Sequence, residues 1–158
     1  MATWAEFEAA SPELATAGRR LIYRDGHGAA LLATVRDGEV PRIHPVSVGI
    51  VEGHLYVFVI GRSPKRRDLE ADGRYALHAH VDATAPSEFS LRGQAIMVDD
   101  PAVRSQVAAD WFFDADDSYV LFELAINSAL LGIRPTADDW PPRYTSWTAS
   151  SSNVPSSN

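Results

Sequence analysis

Apolar positions along the chain switch between two periods, and the switches predict its elements. Near the start, Ser11-Pro12-Glu13-Leu14 pairs a capping residue with proline at a first helical position, which predicts a short helix to about residue 20. An amphipathic turn through Trp4, Phe7 and Ala10 precedes it. From Gly28 the pattern becomes that of strands. Residues 30–35 are an apolar block, Arg36-Asp37-Gly38-Glu39 reads as a turn, and residues 40–51 form a second strand. Glu52-Gly53 turns the chain into a third strand over residues 55–60.

Ser63-Pro64 then opens a helix to about residue 71, and strands follow over 74–82 and 88–98. In the first of these Tyr75, Leu77, Ala79 and Val81 alternate with Arg74, His78, His80 and Asp82. Asp100-Pro101 caps a last helix that reaches residue 111 or 113, and residues 119–133 make the final predicted strand. Five or six antiparallel strands with helices at the corners, in so short a chain, point to a small barrel. One domain is expected over residues 1–147. Residues 148–158 are rich in serine, have nothing to bury, and are expected to form a disordered tail.

Composition narrows the chemistry. The 158 residues contain no cysteine, which excludes disulfides, thiolate metal sites and a cysteine nucleophile. With 14 basic and 21 acidic side chains, the net charge of -7 disfavours nucleic acid and anionic membrane as partners, so any anion site must be local. The sequence shows no apolar run of about 20 residues and no secretory signal at its start, and a cytoplasmic protein is the expectation.

The basic residues point to where such an anion site lies. A helix N-terminus carries about half a positive charge, so acids belong there. The helix after Ser11 has Glu13 in its first turn, and the one after Asp100 has Asp99 and Asp100 beside it. The middle one reads Gly61-Arg62-Ser63-Pro64-Lys65-Arg66-Arg67-Asp68, with four cations in six residues at its positive end and the only lysine of the chain among them. An anion there, most simply a phosphate, would meet backbone donors, dipole and cations together. Arg42 joins it if strand 40–51 lies alongside, since Arg42, His44, Val46 and Val48 share one face. The competing reading is a solvated basic turn.

The ordered set ALLATV, Asp37-Gly38, PRIHPVSV, LYVFV, GRSPKRRDL, RYALHAHV and LRGQA resembles the pyridoxamine 5'-phosphate oxidase-like family, over roughly residues 28–100. That resemblance implies a mainly β fold: a six-stranded antiparallel split β-barrel of Greek-key type with short peripheral helices. It also implies a homodimer with FMN at the interface. Carried onto matching positions, it assigns the phosphate to Arg42, Ser63 and Lys65, with Pro64 between them, and the isoalloxazine to Ile43, His44, Pro45 and Val46. The implied activity is electron or hydride transfer to a small-molecule acceptor. A deazaflavin cofactor, or a flavin- or haem-binding module without turnover, are the alternatives. Val59 stands where many members carry threonine, and the chain is too short for the segment with which true pyridoxamine phosphate oxidases recognise substrate.

Two further groups of residues carry candidate chemistry. His78, His80 and Asp82 share a strand face, but successive same-face positions stand about 7 Å apart, too far for one metal without a bend. Trp111, Phe112, Phe113, Trp140, Tyr144 and Trp147 read as core or interface packing, or as a wall of the site supplied across a dimer.

Overall fold

The computed structural model describes residues 1–150. Helices α1 (Trp4–Ala10) and α2 (Pro12–Ile22) lead into strands β1 (Ala29–Thr34), β2 (Arg42–Val51) and β3 (His54–Ile60). Helix α3 (Pro64–Ala71) precedes β4 (Arg74–Ala79) and β5 (Glu88–Met97), and α4 (Pro101–Ala109) precedes β6 (Tyr119–Ile133) and β7 (Arg143–Thr148). The sheet order is β3-β2-β1-β4-β5-β6-β7, every neighbouring pair is antiparallel, and β3 also pairs with β6. That last pairing closes six strands into the expected barrel and leaves β7 as an extra strand. Among the described residues, no helix is long and apolar enough to cross a membrane.

Closure explains the composition of β3. Its Leu55, Val57 and Val59 face the barrel core, while Tyr56 and Phe58 join a second cluster with Val107 of α4, Ala115 and Leu121. A strand covered on both faces has no reason to alternate, so LYVFVI reads as an unbroken apolar run. The turn into β3 holds Glu52 at φ 48 and Gly53 at φ 77, the paired positive values of a tight hairpin. Helices α1 and α2 add Trp4, Phe7, Leu14 and Ile22 to the core, with Trp4 edge-on to Phe7 at 5.3 Å.

The structure departs from the expected elements at α2, β4 and β7. Ser11 makes no side-chain cap, and α2 runs two residues past the expected end to Ile22. Strand 74–82 stops at Ala79, because Asp82 turns to accept hydrogen bonds from the N–H and hydroxyl of Thr84 at 2.8 and 2.7 Å. His78 bonds through Nδ1 to the Ala79 carbonyl at 2.7 Å. Finally, β7 was not foreseen, and the Ala149 N–H donates to Asn127 O at 2.8 Å, beyond the expected boundary at residue 147. The rest of the expected tail, residues 151–158, lies outside the described residues.

Candidate functional site

The ladder between β2 and β3 begins at Val48↔Val57 and runs to Val51↔His54. Before Val48, β2 is paired on its other side only, from Ser47↔Ala29 to Arg42↔Thr34. Its free edge therefore offers backbone groups of residues 42–47 that no neighbouring strand uses. Strand β3 leaves the sheet at Ile60 and the chain turns into α3, which packs on β1 and β3. The result is a split between the first half of β2 and the basic end of α3.

Several of the residues singled out by sequence meet at this split. Ser63 is the N-cap of α3; its Oγ accepts from the Arg66 N–H at 3.3 Å and keeps its own hydrogen to donate. Pro64 occupies the first turn and has no N–H, so it offers no backbone donor there. Among the described residues the Lys65 N–H has no partner, and Arg62, Lys65 and Arg67 make no ion pair, whereas Arg66 is held by Glu70 at 3.0 Å. No acid lies in the first turn of α3. The charge inversion seen in the sequence is thus present in the fold.

Arg42 reaches the same corner through a partner that the sequence reading missed. Asp68 is 0% exposed, and both its oxygens accept from Arg42 Nη1 at 2.9 Å. The hydroxyl of Thr34, itself buried, donates to Asp68 at 2.8 Å, and Arg36 stands 3.6 Å away. Burial alone would push the Asp68 carboxyl up, but the hydrogen bonds from Thr34 and Arg42 and the charges of Arg42 and Arg36 bring it below its ordinary value. Arg42 Nη2 rests on exposed Glu39 at 3.2 Å, a contact that an incoming anion can replace at small cost.

His44 lies on the Arg42 side of β2, with Nε2 3.2 Å from Thr34 Oγ1. Partial burial and then the Lys65 charge push its pKa down, with Arg42 adding in the same sense and Asp68 opposing. The imidazole thus senses a field that is positive on balance. Val46 continues this face and packs on the core. Ile43, 71% exposed, and Pro45 point to the opposite face, so the four residues expected to line one ring system are divided between two sides of the strand. Only their backbone is presented together, along the free edge.

That outer face is continuous across the sheet. Register places Pro45 beside Leu31, Leu31 beside His78, His78 beside Ser90, and Ser90 beside Leu130. Val59, by contrast, is buried in the barrel core, where valine fits and a threonine hydroxyl would lack solvent. Trp111 and Phe113 pack in the cluster beneath α4, and Phe112 is exposed and stacks on His27 at 4.3 Å. Farther along β2, a cavity of about 340 Å³ is lined by Tyr23, His27, Gly49, Trp111 and Phe112 among others.

No protein-family model and no curated protein sequence matches the chain. Solved structures do. A haem-binding protein from Mycobacterium smegmatis superimposes with TM-score 0.61 at 17% identity, over 84% of this chain and 57% of that one. A NimC/NimA family protein from Clostridium acetobutylicum gives 0.60 at 16% identity, over 85% and 94%. A candidate pyridoxamine 5'-phosphate oxidase from Listeria innocua gives 0.57 at 16%, over 70% and 91%. These likenesses define the class of fold: the chain is a split barrel. It is the architecture of pyridoxamine 5'-phosphate oxidase-like proteins, the fold that the sequence resemblance implies. The chain spans little more than half the length of the haem-binding protein.

Proposed function

We propose that the protein binds FMN in the split between β2 and α3 and serves as an FMN-dependent oxidoreductase for a small planar acceptor. The observation that carries this reading is the placement of a free strand edge, residues 42–47, opposite a helix start that holds unpaired cations and no acid. The donor set fits a phosphate monoester: the Lys65 ammonium and N–H, the Ser63 hydroxyl, and the second nitrogen of Arg42 once Glu39 yields. The backbone of Ile43, His44, Pro45 and Val46 supplies the edge along which a flat heterocycle lies. When bound, FMN supplies the hydride or electron transfer, and the protein supplies position, field and exclusion of water. The cavity beside Gly49 and Trp111 is the place for the acceptor, since it opens farther along the same strand and has aromatic walls.

A homodimer belongs to the same proposal. The outer face carries Ile43 and Pro45 of β2, Leu31 and Ala33 of β1, Ala76 of β4 and Leu130 of β6, interrupted by His78 and by Ser90 and Arg92 of β5. A second copy covering it would bury that surface and wall in the split.

The absorption spectrum of the purified protein and a titration with FMN test the reading. A two-band flavin spectrum, or quenching of flavin fluorescence at stoichiometric protein, supports it. Binding of a deazaflavin in place of FMN moves the assignment to the second cofactor, and a Soret band moves it to haem. Bleaching of the bound flavin by a nicotinamide donor separates an oxidoreductase from a carrier.

A further inference from the structure

Asp68 and Thr34 are the buried polar residues among the core, 0% and 2% exposed, and neither borders the open split directly. Their hydrogen bonds nevertheless run toward it. A hydroxyl has a single hydrogen, and that of Thr34 goes to Asp68 Oδ2 at 2.8 Å. The carboxylate, held by Arg42 and Arg36, is ionised and has no hydrogen to return. Thr34 Oγ1 therefore faces His44 Nε2, at 3.2 Å, with lone pairs only. The hydrogen in that contact belongs to the ring. A neutral imidazole carries one N–H, so Nδ1 is left bare.

We infer that Asp68 and Thr34 are positioning residues that hold neutral His44 in its Nε2–H form, so that Nδ1 is a hydrogen-bond acceptor for a hydroxyl or N–H of the bound ligand. A ring fixed in this way sorts ligands. It favours one with hydrogens to give, such as a sugar-alcohol chain or a cyclic imide, and gains nothing from an anion that only accepts. The naming of FMN as that ligand rests on the proposed function; the state of the ring does not.

Nitrogen-15 NMR of histidine-labelled, ligand-free protein at pH 8 reads the ring directly, with the His44 signals identified by their loss in His44→Gln. Wild type is expected to show a protonated Nε2 and a bare Nδ1, Thr34→Ser the same, and Thr34→Val a shift toward the other tautomer. FMN affinity should then fall about 10-fold in Thr34→Val, the loss of one hydrogen bond of ordinary strength, and return in Thr34→Ser. Sulfate, which only accepts, should bind all three proteins alike. A protonated Nδ1 in wild type, an unchanged ring in Thr34→Val, or equal weakening of FMN and sulfate would overturn the inference. If the ring behaves as expected while wild type binds no FMN, the positioning role stands and the proposed function fails.

Discussion

Arg42 on β2 donates from one nitrogen, Nη1, to both oxygens of Asp68 on α3, at 2.9 Å each and across 26 residues of sequence. This contact ties the helix that bears the cations to the strand that bears the free edge. Asp68→Asn should lower stability at pH 7 by about 1.5–3 kcal/mol, the range for a hydrogen bond to a charged group. The carboxyl is held below its ordinary value of 3.8, so it stabilises the fold above that pH and the contribution is lost as pH falls below it. Urea unfolding of both proteins at pH 7 and near pH 3 checks this: the difference at neutral pH should shrink in acid.

His44 reports on its neighbours. Its pKa lies below the ordinary 6.5 because of burial and then Lys65, so removing the ammonium should move it upward. In Lys65→Ala the ring should titrate closer to 6.5, and in Asp68→Asn, where a raising charge is lost, farther below it. The lowered value also means that His44 disfavours the folded state as pH drops through 6.5 toward the folded pKa, since the unfolded chain binds the proton more readily. An NMR pH titration of the ligand-free proteins follows all three values.

Leu130 lies on the outer face of β6, with β1, β4 and β5 between it and β2 in the sheet order. Leu130→Arg should leave the fold intact and convert a particle of twice the 17.2 kDa chain mass into a single chain. Sedimentation equilibrium measures the mass, and a wild type that already sediments as one chain would remove the dimer from the proposal.

Gly18 in α2 lies against the ring of Phe89, and an added Cβ would overlap it. Gly18→Val forces the helix away from β5, with a cost of about 1–3 kcal/mol, as for other overpacked cores. Thermal unfolding should register it as a lower Tm, with the charge placement at α3 unaffected.

The barrel was readable because its strands alternate or run apolar and its turns carry Asp-Gly and Glu-Gly. Strand β7 was not: RYTSWT is exposed apart from Trp147, and only its pairing with the second half of β6 makes it a strand. Lys65, Ser63 and Arg42 could be chosen from charge order and strand phase, because both are local. Asp68 could not. It reads as an ordinary acid of an amphipathic helix until Thr34, Arg36 and Arg42 converge on it from β1, β2 and the turn between them. The division of residues 43–46 between two faces follows from strand phase and was available in the sequence. The free edge was not, since it depends on where β3 leaves β2.

The most direct measurement is the affinity for FMN of wild type and of Lys65→Ala, followed by flavin fluorescence and set beside their melting temperatures. The account predicts tight binding by wild type, a loss of about 10- to 100-fold in the variant, and equal melting of the two ligand-free proteins. Equal affinities together with a lowered Tm would make Lys65 a structural residue and contradict the phosphate site.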